Sequence, residues 1–161
     1  VIEVPVLYND PWTYETLMRF RDHHQDPSST DLEYAARING YDSVDAFIEA
    51  HSSTSWFVSM VGFVAGLPFM YQMVPRERQI QVPIYDPAGD QPHIDDSMIY
   101  FRPGDIVKHR AIDREEYDAL LSAAEKGDFK PRVASFTFDL DAFSQDPDGY
   151  ARRVKEVLYE H

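Results

Sequence analysis

Residues 51–70, with the sequence HSSTSWFVSMVGFVAGLPFM, decide how the middle of this chain folds. Side chains of a β-strand alternate between its two faces, so the pattern predicts a strand with Trp56, Val58 and Met60 on one face. A polar His-Ser-Ser-Thr segment comes directly before this strand. The strand is therefore expected to begin at a polar corner.

A shaped turn is predicted to follow the strand. Gly62 and Gly66 provide backbone freedom or room for close approach, and Pro68 stiffens the exit. Loops at the end of a strand are where a scaffold usually presents its binding groups. A binding loop is therefore favoured over a turn with a purely structural role.

The composition limits the classes to which the protein can belong. With 161 residues, 43% of them hydrophobic, the chain is long enough for one sizeable core. It has no cysteine, which excludes disulfides, thiolate metal sites and a cysteine nucleophile, and agrees with a cytoplasmic location. A net charge of −13 argues against nucleic-acid binding. No apolar run is long enough to predict a membrane span.

Signals for helices lie on both sides of the central strand. The candidate helix starts are Asp10 before Pro11, Thr30 with Glu33, Ser43, and Asp113 with Glu116. The helix after Asp113 is predicted to have an inner face of Tyr117, Leu120, Leu121 and Ala124. Residues 133–139 alternate as a strand, and residues 150–159 predict a terminal amphipathic helix.

Two groups of histidine and acidic residues are candidate metal sites, and neither is favoured. His23 and His24 are adjacent at the end of a helix, where their side chains point in different directions. His93 lies near Asp95 and Asp96, but no second cluster completes a site. We therefore predict no metal. The sequence also lacks both familiar phosphate-binding loops, so any ATP would have to be bound by a partner.

Several polar residues of the central region can be interpreted as functional or as structural. His51 can contact a substrate or serve the structure through a hydrogen bond at the turn. No Asp or second His is placed by the sequence to activate the nearby hydroxyl groups, so no catalytic triad is predicted. Asp105 and Lys108 favour a turn that enters a strand over a catalytic pair. Residues 76–78 favour a solvated charge run over a contact with a ligand carboxylate.

The 51–70 stretch resembles the signature of the carboxyltransferase subdomain C and D family. That family includes urea carboxylase, allophanate hydrolase subunit 1, the B subunit of 5-oxoprolinase and the sporulation kinase inhibitor KipI. The positions that match the signature are His51, Ser53, Trp56, Val58, Met60, Gly62, Phe63, Gly66 and Pro68. The departures from it are Ala65, Leu67 and Phe69.

Other segments extend the resemblance over most of the chain. Residues 3–8, 32–51, 83–87, 101–108 and 112–143 are each similar to a family segment, and the last is most similar to the urea carboxylase version. Between the Gly62 loop and Tyr85 the family has further residues, whereas this chain has only residues 71–83, so a segment is expected to be missing near 75–84. This difference is either a real deletion or a segment missing from the sequence, and the intact motifs on both sides favour the second explanation.

The resemblance implies a fold and a function. The expected fold is α+β and β-rich, a cyclophilin-like barrel with flanking helices, formed as a single domain by residues 1–161. The expected function is a subunit or domain of a heteromeric carboxyltransferase-type enzyme that acts on a urea, amide or lactam nitrogen. The alternative is a KipI-like inhibitor that binds a protein and performs no chemistry.

The resemblance also implies partners and site residues. A homologous carboxyltransferase subunit, and in the biotin-dependent branch a biotin carrier, would complete the enzyme. Biotin or ATP would come from these partners and not from this chain. The substrate-binding residues are expected to be His51, Ser53, Gly62, Phe63, Gly66 and Pro68, and no catalytic residue is assigned.

Overall fold

A computed structural model describes residues 1–61, 68–80 and 101–159 of the chain. Its elements, in chain order, are β1 (Ile2–Val6), α1 (Pro11–Phe20), α2 (Asp31–Ile38), α3 (Val44–Ser53), β2 (Ser55–Val61), β3 (Pro68–Gln72), β4 (Ile106–Ala111), α4 (Arg114–Glu125), α5 (Leu140–Gln145) and α6 (Pro147–Tyr159). Short 3₁₀ turns lie at Arg21–His23 and Arg76–Arg78. No helix in the described ranges has the length and apolar character needed to cross a bilayer.

The predicted helix starts are confirmed. Each N-cap side chain accepts a hydrogen bond from a backbone N–H of the first turn, which would otherwise have no partner. Thr30 and Glu33 form the expected reciprocal capping box at the start of α2. The terminal helix is also confirmed, although it begins at Pro147, earlier than the sequence predicts.

The strands form a mixed sheet in the order β1-β4-β2-β3. The edge strand β1 is parallel to its neighbour β4, whereas β2 is antiparallel to both of its neighbours. Strand β4 therefore lies between the strand that begins the chain and the strand that follows α3. This order brings residues distant in sequence to the same part of the sheet.

A β-bulge in β2 changes the predicted alternation. Val58 pairs with Met70, but the next pair is Met60 with Phe69, so Ser59 is an extra residue in β2. The bulge turns Met60 outward, where it is 51% exposed, while Trp56 and Val58 stay buried. The prediction that all three share one face of the strand was therefore wrong for Met60. Beyond the bulge, Val61 packs against the buried cluster in its place.

Each face of the sheet packs against its own hydrophobic cluster. On one face, Trp56, Val58 and Val107 are the buried residues. On the other face, the buried residues are Met73, Ile106, Tyr150 and Val154, with Tyr150 and Val154 supplied by α6. A third cluster joins α2 to α3 through Ala35, Ala36 and Phe47. Helix α3 is thus fixed on one side by α2 and on the other by the sheet.

Ion pairs hold β4 against its surroundings. The Arg110 guanidinium donates to Glu3 of β1 at 3.1 Å and to Glu116 of α4 at 2.7 Å. The Tyr159 hydroxyl at the end of α6 also donates to Glu3. These contacts tie both ends of the chain to the strand that carries Lys108 and His109.

Two local predictions were wrong. Residues 133–139 do not form a strand: Val133 makes one isolated bridge to Ile2, and the chain then turns so that Phe136 and Phe138 pack against Tyr150. The predicted inner face of α4 is largely open, since α4 has no buried residue and Leu121 is 45% exposed.

The α+β class is confirmed, but helical residues outnumber strand residues in the described part of the chain, so the β-rich description does not apply there. Closure of the sheet into a cyclophilin-like barrel and the assignment of residues 1–161 to one domain stay predictions. Of the segment 75–84, where the family carries more residues, positions 81–84 lie outside the described residues.

The bulge gives a testable difference between two neighbouring residues of β2. Met60→Asp should lower the free energy of unfolding by about 1 kcal/mol or less, because the side chain is exposed. Val58→Asp should lower it by more than about 4 kcal/mol, because Val58 is fully buried and the new carboxylate would have no partner. Guanidinium denaturation measures both. Equal losses would contradict the bulge.

Candidate functional site

Helix α3 ends against the sheet, and its last carbonyl groups take hydrogen bonds from side chains of the sheet. The Gln72 amide of β3 donates to Ala50 O at 3.2 Å, and the Trp56 indole of β2 donates to His51 O at 3.0 Å. The Lys108 ammonium of β4 donates to Ser52 O. Such carbonyls have no partner within their own helix, so these donors fix where α3 ends.

Lys108 is a buried lysine, with only 5% of its surface exposed. Its ammonium also donates to the backbone carbonyl of His109 at 3.0 Å, and a cation at a helix C-terminus is favoured by the helix dipole. Burial, together with repulsion from Lys155, lowers the pKa of Lys108 to about 8, although Glu3 and Glu49 oppose this shift. The expected turn at Asp105 leads into β4, where Lys108 serves as a cap.

His51 lies at the centre of this corner. A 2.6 Å hydrogen bond joins its Nδ1 to the hydroxyl of Tyr8, which comes from the loop after β1. Its ring centroid lies 4.6 Å from that of Trp56 and 4.8 Å from that of His109. Burial, with a smaller contribution from Lys108, lowers the pKa of His51 to about 4. Burial raises the pKa of Tyr8 to about 12.

The loop that supplies Tyr8 has an unusual backbone conformation. The next residue, Asn9, has a φ of 55°, in the left-handed region that asparagine tolerates better than most residues. Asp10 then caps α1. The change of direction at Asn9 therefore lets the chain present Tyr8 to His51 and begin α1 immediately afterwards.

His109 is the second histidine of the corner. It is 8% exposed, and its Nδ1 atom is buried with no hydrogen-bond partner in the described part of the chain. Burial, followed by repulsion from His51 and Lys108, lowers the pKa of His109 to about 3. An unpaired buried polar atom costs about 1–3 kcal/mol, so this nitrogen is an exception to the pairing of buried polar groups.

The chemistry of this corner follows from the two low histidine pKa values. Near neutral pH both imidazoles are uncharged, so each has one N–H donor and one nitrogen acceptor. They are weak bases, and a Ser-His-Asp arrangement is absent from the described residues around them. The corner is therefore suited to holding and orienting an uncharged polar group, more than to removing a proton from it.

The predicted binding residues do not all meet at this corner. Ser53 is the exposed last residue of α3, and its hydroxyl donates back to Ala50 O at 3.5 Å. Pro68 pairs with Val61 at the far end of the β2–β3 hairpin. That pair lies about 17 Å along β2 from Trp56, since a strand advances about 3.3 Å per residue. Gly62, Phe63 and Gly66 lie outside the described residues, so the loop stays a prediction.

His24 and Arg78, from the other candidate groups in the sequence, pair with acidic residues of the protein itself. His24 bonds to Asp31 at 2.6 Å, and no group of three or more potential metal ligands occurs within residues 1–61, 68–80 and 101–159. Arg78 forms an exposed ion pair with Asp148 at 2.6 Å. His93, Asp95 and Asp96 lie outside these ranges.

Sequence reasoning missed two members of the corner and misjudged a third. Tyr8 and His109 were not proposed as site residues, and Lys108 was assigned only to a turn. The available signal was the pair Lys108-His109 within a strand whose preceding residues are apolar, because polar side chains at buried strand positions need partners. Only the sheet order shows that these partners come from α3 and the loop after β1.

The first 91 residues of the chain are similar to a known protein family. A family model described as carboxyltransferase domain, subdomain C and D, matches residues 1–91. The matched range contains Tyr8, α3 and β2, but it ends before β4. No curated protein matches the chain.

One solved structure resembles the whole fold. The urea amidolyase of K. lactis is 18% identical to this chain, with a TM-score of 0.66. The alignment covers 97% of this chain and 12% of the urea amidolyase chain. The likeness therefore shows that the fold occurs as a small part of a much larger protein.

The low histidine pKa values predict how stability depends on pH. Unfolded imidazoles gain protons near pKa 6.5, whereas the folded values are about 4 and about 3. The unfolded state therefore binds more protons in this window, so the free energy of unfolding should fall as pH drops from about 6.5 to about 4. The slope should be smaller in His51→Phe and unchanged in His23→Phe, whose side chain is exposed. Equal slopes in wild type and His51→Phe would contradict a neutral buried His51.

Lys108 gives a second test, because its charge lowers both histidine pKa values. Lys108→Met should raise both values while leaving them below 6.5, since burial remains. It should also cost about 1–3 kcal/mol of stability, because two buried carbonyls lose their donor. NMR titration of the imidazole protons measures the pKa values. The exposed Lys130→Met is the matched control. Unchanged histidine pKa values in Lys108→Met would contradict an effect of the Lys108 charge on the histidines.

Proposed function

The chain belongs to the carboxyltransferase subdomain C and D family, and from this membership we propose that it is part of a carboxyltransferase-type enzyme that acts on a urea, amide or lactam nitrogen. The family match over residues 1–91 is the observation that carries the proposal. The likeness to part of a urea amidolyase supports the same class of substrate.

The neutral corner around His51 suits this role. In the proposal, the imidazoles of His51 and His109 orient an uncharged nitrogen compound through hydrogen bonds, and the Trp56 ring limits its access to water. Lys108 supplies a positive potential that stabilises charge developing on a carbonyl oxygen. The chain contributes positioning and electrostatic stabilisation and does not form a covalent bond to the substrate.

Partners supply the rest of the enzyme in this proposal. A homologous carboxyltransferase subunit or domain completes the active site, and biotin on a carrier, or ATP on another subunit, provides the carboxyl group or the energy. We further propose that residues 1–161 form a single domain and that the sheet is part of a cyclophilin-like barrel. We also propose that Ser53 and the loop around Gly62, Phe63, Gly66 and Pro68 contact substrate. In this proposal the enzyme is cytoplasmic.

Reconstitution tests the proposal. The chain, its homologous partner, a biotinylated carrier and a biotin carboxylase are combined with ATP and labelled bicarbonate, and label transferred to urea, acetamide or 2-pyrrolidone is measured. Transfer should require the chain. His51→Phe should lower kcat/KM by at least about tenfold, about 1.4 kcal/mol of transition-state stabilisation, whereas the exposed Tyr71→Phe should leave it unchanged.

Two outcomes would contradict the proposal. Transfer at the same rate without the chain would show that it has no part in the reaction. Tight binding to a histidine kinase with no carboxyl transfer to any of the three compounds would instead support the inhibitor alternative.

A further inference from the structure

We propose that His109 is a specificity-determining residue of the corner, and that its Nδ1 hydrogen-bonds an uncharged amide or urea group. The inference rests on the proposed function and deepens it, because it names a residue that selects the substrate class. His109 lies in β4, beyond the range of the family match, and is not among the residues that the signature suggested.

One polar atom of the corner lacks a hydrogen bond within the described residues. Nδ1 of His109 is the buried side-chain nitrogen that has no partner within the described ranges. The neighbouring polar groups of the corner are paired: His51 Nδ1 with Tyr8, the Trp56 indole with His51 O, and Lys108 with two carbonyls. A native protein rarely leaves a buried polar atom unpaired without a reason. A ligand atom would supply the missing partner.

The surroundings of His109 disfavour a charged ligand. The rings of His51 and Trp56 flank His109, with centroids 4.8 and 5.9 Å away, so an ion bound beside it would lose much of its hydration. The Lys108 ammonium, which bonds to the His109 carbonyl, disfavours a cation. A carboxylate would meet the Lys108 charge favourably, but that ammonium already donates to two carbonyls inside the fold. An uncharged polar group suits these surroundings best.

The neutral imidazole of His109 has two tautomers, which differ in whether Nδ1 carries a hydrogen. In one neutral tautomer Nδ1 accepts a hydrogen bond, and in the other it donates one. An amide or urea has both an N–H and a carbonyl oxygen, so it can complete either tautomer. An ester or ketone completes only the donating form, and an ammonium compound only the accepting form. Amides and ureas can therefore bind His109 in both states, as hydroxyl compounds can, and the proposed function selects the amides and ureas.

Three variants test the role of Nδ1. In His109→Asn the side-chain amide replaces Nδ1 closely, in His109→Gln the amide reaches the position of Nε2, and in His109→Phe the ring remains without nitrogen. The ligands are acetamide, 2-pyrrolidone and non-denaturing concentrations of urea. Acetate, which has the shape of acetamide and a negative charge, is the matched control ligand. Binding is followed by NMR through the ring ¹⁵N signals of His109 and, in the variants, of His51.

The expected result is that acetamide and urea shift the Nδ1 signal of His109 and that acetate does not. His109→Phe and His109→Gln should weaken amide binding by at least about tenfold, whereas His109→Asn should stay within about threefold of wild type. His109→Phe should fold, because removing an unpaired buried nitrogen is not destabilising. If it does not fold, the comparison of Asn with Gln still decides the question.

Several results would overturn the inference. An Nδ1 signal that does not respond to any amide would mean that this atom binds only water. Stronger binding of acetate than of acetamide would make the corner an anion site. Equal binding in the Asn, Gln and Phe variants would remove His109 from recognition.

The failure of this inference can be told apart from the failure of the proposed function. Carboxyl transfer that is unchanged in His109→Phe would overturn the role of His109 and leave the carboxyltransferase assignment standing. Amide binding through Nδ1 without carboxyl transfer in the reconstituted system would support His109 and overturn the assignment.

Discussion

The buried carbonyl end of α3 is the constraint on which the rest of the corner depends. A helix that ends against a sheet needs hydrogen-bond donors for its last carbonyl groups. Here Gln72, Trp56 and Lys108 supply them, one from each of three neighbouring strands. The position of α3 and the order of the strands are therefore coupled, because a change in the register of β2, β3 or β4 would remove one donor.

The same constraint accounts for the chemical character of the corner. Lys108 must be buried to reach Ser52 O, and its charge then acts on the histidines next to it. Aromatic rings surround His51 and exclude water, so both imidazoles remain neutral well below their ordinary pKa. A contact required by the end of a helix thus places two neutral imidazoles beside a buried ammonium, in a polar and partly dry environment. Such an environment is suited to holding and orienting an uncharged polar group.

Local signals in the sequence predicted the local structure well. The caps at Asp10, Thr30, Ser43 and Asp113 each depend on a side chain and a backbone N–H a few residues away, and all four are confirmed. The strand at Trp56 was predicted from its alternation. Its bulge was not, because the extra residue at Ser59 is defined by the register against β3, which alternation within one strand does not specify.

The candidate site was less predictable, for a physical reason. Tyr8, His51 and His109 are far apart in sequence, and they meet only because β4 pairs with both β1 and β2. A single sequence identified His51, since it belongs to a recognisable signature, but not its partners. The residues that the sequence favoured around Gly62 belong to a part of the chain that the structure does not describe.

The central claim is that the corner holds two neutral histidines, and NMR of the ring ¹⁵N signals tests it most directly. At about pH 5.5, an exposed imidazole with the ordinary pKa of about 6.5 is mostly protonated on both nitrogens. His51 and His109 are each expected to show one protonated and one unprotonated ring nitrogen at this pH. Two protonated nitrogens on either ring would contradict it.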